Sequence, residues 1–296
     1  MCKLRGCCMI AAHRLTAPLD QDRYSLLRKG VQDDPEINVF INAQGDFAFL
    51  DPMPVIDYAA YERRSEKLGL QAYARNSGGL EARLEKVGPL IPSDGRVLEI
   101  GAANAAFLEL AHAASPGCSY AAIEPDERTK PDRDRLVWLE QFDGIEAVRT
   151  GSERFDLIML FHVFEHILEP DAFLTDVHNL LGEGGALLIE VPCLRDPLLT
   201  LFECEAYQAF YFQRQHPFVY SAPSLERVLA QSGFAVRREI FHQRYGMENH
   251  LHWLAAGEPG GNAHFRELFG GSDRSYRAAL EAAGLTDTVI VEAVAA

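Results

Sequence analysis

Positive charge is in short supply. The 296 residues hold 28 lysines and arginines against 43 aspartates and glutamates, a formal charge of −15, and no basic cluster is interleaved with aromatics. Neutralising backbone phosphates supplies most of the affinity for DNA or RNA, so polymeric nucleic acid is excluded as the expected partner and a small-molecule acceptor is favoured. Long apolar runs are absent as well, and no stretch reaches the roughly 20 residues that span a bilayer. The apolar part of Met1–Ala12 ends too soon, at His13 and Arg14, to be the core of a signal peptide. Six cysteines (Cys2, Cys7, Cys8, Cys118, Cys193, Cys204) form no C-x-x-C pair and no regular framework, which argues against a zinc ribbon and a disulfide scaffold. These absences predict reduced thiols in a cytoplasmic protein with no membrane contact. With 48% hydrophobic and 24% charged residues the composition is that of a folded protein. The length suits one principal domain with extensions.

What is present centres on Arg96-Val-Leu-Glu-Ile-Gly101 and the alanine-rich stretch after it. An apolar β-run turns at Gly101 and enters a helix, which presents backbone N–H groups to a ligand. The next strand ends at Ile123-Glu124-Pro125. A carboxylate roughly 20 to 25 residues beyond such a turn is placed to receive the ribose hydroxyls of a bound nucleoside. A dinucleotide loop would need further glycines, where the chain has Ala103 and Ala106, so a nicotinamide-dependent oxidoreductase is disfavoured.

Together with Phe155-Asp-Leu-Ile-Met-Leu-Phe-His-Val-Phe-Glu-His166, these segments resemble the class I, Rossmann-like S-adenosylmethionine-dependent methyltransferases, in particular small-molecule and sugar methyltransferases of polysaccharide or natural-product pathways. The resemblance covers about residues 79–256. It implies an α/β fold, a seven-stranded mostly parallel sheet with helices on both faces, and S-adenosyl-L-methionine as cofactor. It also implies a donor site at Glu99, Gly101, Ala102, Ala103, Glu124, Pro125, Phe161 and His162, with Gly101 near the methionine part, Glu124 on the ribose and Glu99 beside the amino acid. Ala103 and Ala105 depart from the family's more usual glycines.

Taken in order, residues 1–78 are expected to form a cap, with a hairpin at Ile37–Asn42 and Phe47–Leu50 followed by helices that carry Tyr58, Tyr61 and Tyr73. Residues 79–257 form the donor-binding domain. In it a helix is expected at Gly79–Val87, a third strand at Leu136–Leu139, and an aromatic-rich insertion at 193–222 that either floors an acceptor pocket or only anchors itself. Later strands are placed at Gly233–Phe241 and Leu251–Ala256, and residues 258–296 are read as a helical tail, free to dock on the core or on a second copy in a homodimer.

Three histidines are candidates for proton transfer. His162 and His166 lie beyond the apolar run Phe155–Phe161, at a strand end where chemistry in open α/β sheets is found. His216 lies in Gln215-His-Pro-Phe-Val-Tyr-Ser221, which resembles a segment of deoxysugar methyltransferases where a Glu-His pair removes a proton; here Gln215 stands in place of that glutamate. Arg244, Tyr245, Asn249 and His250 are candidates to face the acceptor. Glu165 with two histidines invites a metal, but no matched ligand set accompanies them, so none is expected. The resulting expectation is methyl transfer to a sugar or sugar nucleotide, most naturally at oxygen. The rival is a donor-binding protein without catalysis, supported by Ala103, Ala105 and Gln215.

Overall fold

The structure is a computed structural model that describes residues 24–55, 77–149, 151 and 153–296. Tyr58, Tyr61 and Tyr73, the helix expected around them, Cys2, Cys7 and Cys8 lie outside the described residues.

Seven strands make the central sheet: β4 (Gly95–Ile100), β5 (Cys118–Ile123), β6 (Leu139–Phe142), β7 (Phe155–Phe161), β8 (Leu181–Pro192), β10 (Phe234–His242) and β11 (Thr288–Ala295). Their order is β10-β11-β8-β7-β4-β5-β6. The run from β8 to β6 is parallel, while β11 is antiparallel to both β8 and β10. Parallel strands covered on both faces must be apolar throughout, and β7 is buried at six of its seven positions. Alternation then divides the core. Leu98, Ile158 and Ile189 pack with Leu174 and Leu225 of helices Pro170–Leu180 and Ala222–Gln231, whereas Val97, Met159 and Leu188 pack with Val87 and Leu108 of helices Ser77–Val87 and Ala106–Ala114. Helices therefore cover both faces. Strand order reverses between β4 and β7, which opens a crevice beyond their carboxyl ends.

A second sheet joins β1 (Tyr24–Arg28), β2 (Asn38–Asn42), β3 (Phe47–Asp51) and β9 (Phe218–Tyr220). The expected hairpin is β2–β3, and its outer partner β9 comes from the far end of the insertion. Tyr220 of β9 stacks on Phe164 with ring centroids 5.4 Å apart, and Phe47 lies 5.5 Å from Tyr220. The small sheet thus braces the turn that follows β7.

Three expectations are corrected. Leu251–Ala256 is not a strand but the end of helix Met247–Ala256, which buries His250 and Trp253 at helical spacing and stops at Gly257 in the left-handed conformation. Six residues of apparent alternation fit either period, and the helix stop decides. The last strand is instead β11, within the expected helical tail, where Val289, Ile290 and Val291 are fully buried in the sheet. The third strand begins at Leu139, because residues 136–139 form a turn that leaves Val137 96% exposed. Three of the insertion's aromatics anchor it. Tyr207, Tyr211 and Phe212 are buried, with Tyr207 against Trp253 and its hydroxyl donating to Asp196 at 2.7 Å. Cys118, Cys193 and Cys204 are buried free thiols. No described helix is long and apolar enough to cross a membrane.

Candidate active site

The turn after β4 and the tip of β5 are joined directly. Gly101, at φ +77°, donates its N–H to the Ile123 carbonyl at 2.8 Å. A Cβ there would stand 2.4 Å from Val163 Cγ2, so the site requires glycine for its backbone and for the approach of the turn after β7. Next along the chain, the Ala103 N–H donates to Glu124 Oε2 and the Asp126 N–H to Oε1, both at 2.8 Å. Buried Arg133 fastens the arrangement, donating to the Ala103 carbonyl at 2.7 Å and the Glu124 carbonyl at 3.3 Å. Ala102 is buried beneath this loop, and Pro125 is exposed beside it.

Ala103 (φ +48°) and Ala105 (φ +59°) adopt the left-handed conformation that glycine would take. The loop keeps a glycine-like shape at a cost of roughly 1 kcal/mol or more per residue. Ala103→Gly is expected to raise folding stability by about 0.5–1 kcal/mol, since strain relief exceeds the added unfolded-state entropy. Ala105 is fully buried, so its glycine variant also loses about 0.8 kcal/mol of methyl burial and should come out near neutral. Thermal unfolding of the two variants checks both signs.

Glu99, on the face of β4 toward helix Ser77–Val87, is 4% exposed, and its Oε2 has no hydrogen-bond partner among the described residues. Burial pushes its carboxyl up to about 8; nearby Arg83 opposes this, while Glu124 and Glu190 reinforce it. Arg83 is committed elsewhere. Its Nε and Nη2 donate to the two oxygens of Glu190 at 2.7 Å each, and its guanidinium lies 4.6 Å from the centre of the Phe161 ring. Glu190 is fully buried, yet Arg83 and His162 outweigh burial and hold it well below the usual carboxylate range. Arg83 and Glu190 escaped the sequence reading. A lone carboxylate inside the apolar run Ala186–Val191 was the available signal.

His162 follows β7 at φ +56°, a left-handed conformation uncommon outside glycine but entered more readily by histidine than by most residues. Its Nε2 lies 2.9 Å from Glu190 Oε1 and its Nδ1 3.4 Å from Glu165 Oε1. Arg244 Nη1 stands 3.0 Å from the same Nε2. A guanidinium only donates, so this approach and burial both oppose protonation of the ring; the two carboxylates prevail and raise its pKa. Arg244 is itself anchored by buried Asp287, to which Nε donates at 2.9 Å.

On the other side of Glu165, the turn Phe164–His166 meets the loop before β9. Glu165, His166 and His216 bring one ligand-capable atom each within 4.8 Å of one another. His166 Nδ1 bonds the Gln215 carbonyl at 2.6 Å, and the two imidazoles pack edge to face at 4.9 Å. Burial pushes His216 down to about 3, reinforced by His166 and opposed by Glu165.

The predicted donor-site residues all lie near the carboxyl ends of β4, β5 and β7 or in the turns that follow them, where strand order reverses. Of the three histidines, His166 and His216 are in contact, while His162 faces Glu190 and Arg244. Arg244, Tyr245 and Asn249 line a cavity of about 480 Å³ with Arg266 and Arg277. His250 does not line it. It is 2% exposed and bonded to Tyr276 and Gln243.

A family model described as a methyltransferase domain matches residues 71–239. Among curated proteins, an uncharacterized protein of Mycobacterium tuberculosis is 30% identical over 125 residues, 40% of this chain and 44% of that protein. A malonyl-[acyl-carrier protein] O-methyltransferase of Paenibacillus sp. is 29% identical over 155 residues, 47% of this chain and 55% of that protein. The chain thus spans about half the length of the curated relatives it matches. Among solved structures, a SAM-dependent methyltransferase from Archaeoglobus fulgidus superposes with a TM-score of 0.52 at 18% identity, covering 80% of this chain and 99% of the other. The plantazolicin methyltransferase BpumL, in complex with SAH, gives a TM-score of 0.50 at 13% identity, covering 80% and 91%. At such identities the likeness shows the fold.

Proposed function

Since this chain belongs to the methyltransferase-domain family and its methyl donor is S-adenosyl-L-methionine, we propose that it methylates a hydroxyl oxygen of a small acceptor, a sugar or sugar nucleotide. The observation that carries the donor half is the closed connection between Gly101, Ala103 and Glu124 at the strand-order reversal. Two features test the fit of the donor to these residues. The unpartnered, buried Oε2 of Glu99 suits an ammonium group, and the Gly101 turn has no room for a side chain. When bound, the donor supplies an electrophilic methyl group on a sulfonium.

The protein's own contribution is alignment and the handling of one proton. Glu124 receives the ribose, Gly101, Ala102 and Ala103 line the approach with Pro125 at its edge, and Phe161 walls it from β7. His162 is a positioning residue, fixed between two carboxylates. His166 and His216 orient the acceptor hydroxyl; with a pKa of about 3, His216 accepts a proton only weakly and favours an acceptor whose hydroxyl is activated. The cavity beside Arg244 supports the acceptor class. Its arginines are braced by Asp287, Glu248 and Asp273, and with Tyr245 and Asn249 they offer hydrogen bonds suited to hydroxyls and a phosphate.

Calorimetry should show saturable donor binding, and a panel of hydroxylated acceptors and sugar nucleotides should reveal labelled methyl transfer. Absence of donor binding would overturn the reading of the site. Transfer confined to amines or carbon acids would overturn the hydroxyl assignment.

Donor binding is also expected to depend on pH. With its pKa near 8, Glu99 carries a proton at neutral pH in the free protein and gives it up when an ammonium is placed against it. Affinity should therefore rise with pH, by up to about tenfold per unit, and level off near 8. The enthalpy of binding should vary with the ionisation enthalpy of the buffer. An affinity flat between about pH 6.5 and 8.5, or a pH profile unchanged in Glu99→Gln, would contradict this role.

A further inference from the structure

The geometry points to a divalent transition-metal site formed by Glu165, His166 and His216, a set that no sequence segment contains by itself. The inference rests on the acceptor side of the reading above and names what activates the acceptor there.

Glu165 is 1% exposed, and neither carboxylate oxygen makes a hydrogen bond among the described residues; Oε1 has only an ion-pair separation of 3.4 Å to His162 Nδ1. A buried carboxylate costs several kcal/mol unless something positive meets it; His162 Nδ1 meets Oε1 at 3.4 Å, and Oε2 is left open to a second cation. The atoms that converge on it are electron-pair donors. His166 and His216 each bring a ring nitrogen within 4.8 Å, and the flanking Gln215, 4% exposed, has its own Oε1 buried without a hydrogen-bond partner among the described residues. Such a set suits a cation and repels an anion.

Ligation by two imidazoles and one carboxylate is a known zinc arrangement that leaves a fourth position for water or a substrate oxygen. Ligand bonds of about 2.1 Å put tetrahedral ligand atoms roughly 3.4 Å apart, so closure requires the side chains to draw together. The outer contacts are also those of a metal site. A ligating histidine ordinarily donates its other N–H to a carbonyl or carboxylate, and His166 Nδ1 meets the Gln215 carbonyl at 2.6 Å. Two packed elements hold the ligands. The Phe164–His166 turn is pinned by Phe164 against Tyr220, and Val163 abuts the Gly101 turn, which puts the cluster beside the donor crevice. The open position would receive the acceptor hydroxyl and lower its pKa.

The test uses the full chain, stripped with chelator and titrated with Co²⁺ as the probe. One equivalent should bind per chain with the visible bands of an imidazole-ligated ion, and Zn²⁺ should displace it. His216→Ala and His166→Ala should each weaken binding at least about 100-fold, beyond the loss typical of an outer-shell partner. The isosteric Glu165→Gln, which guards against a folding defect, should do the same. Stoichiometric binding that survives all three substitutions, or no stoichiometric binding to the native chain, would overturn the proposal. Donor binding measured on the same samples separates the two readings. A protein that binds donor but not cobalt refutes the metal site alone.

Discussion

Replacing Glu190 with alanine is expected to remove about 3–5 kcal/mol of folding stability, the cost of leaving a buried charge without its partner. Glu190 is fully buried and satisfies three donors: Arg83 Nε and Nη2 at 2.7 Å and His162 Nε2 at 2.9 Å. Arg83 lies against Phe161, so water does not easily replace the lost carboxylate. For a chain of this size the melting temperature should fall by about 10 °C. Glu190→Gln keeps an acceptor and loses the charge, and its effect should be intermediate. The same variants carry a second readout. Because Glu190 raises the pKa of Glu99 and holds Arg83 away from it, either substitution should move the midpoint of the donor-affinity pH profile below 8. A loss of less than about 1 kcal/mol, as for an exposed ion pair, would show that Arg83 and Glu190 are solvated.

Glu124→Ala should weaken donor binding at least 100-fold while costing little stability. Two hydrogen bonds from ribose hydroxyls to a carboxylate are worth roughly 1.5–3 kcal/mol each, so their combined loss is about 3–6 kcal/mol. The folded protein loses only the bonds from the Ala103 and Asp126 N–H groups, in a partly exposed position where water substitutes for the side chain. That contrast is the diagnostic. Calorimetry and thermal unfolding on one preparation should show a large affinity loss with a melting shift of a few degrees. An affinity within a factor of three of wild type would remove Glu124 from the donor site. Equal losses in both measurements would make it a purely structural brace. Glu124→Gln retains an acceptor oxygen and should lose about tenfold, in keeping with the lower strength of uncharged hydrogen bonds.

The residues proposed to hold the donor could be picked out because they are local. A strand, a glycine turn and a carboxylate at the next strand tip lie within one βαβ unit, and periodicity with spacing locates all three. The strand Phe155–Phe161 and its trailing histidines were legible for the same reason, since a doubly covered strand is apolar at nearly every position. Residues 251–256 were misread because six residues satisfy both a period of 2 and a period of 3.6. The burial of His250 and Trp253 on one helical face, with the helix stop at Gly257, resolves the tie.

The sequence by itself determined the fold class, the Gly101–Glu124 connection proposed to hold the donor and the candidate histidines, since these follow from contacts between neighbours along the chain. Tertiary structure alone decided which side chains share an environment. Arg83 meets Glu190, Arg244 reaches His162, and the insertion returns as β9 to set His216 against His166 and Glu165. No spacing rule anticipates such pairs, because each is fixed by the packing of separate elements on the sheet, and burial gives a carboxylate or an imidazole its charge state only after that packing is complete.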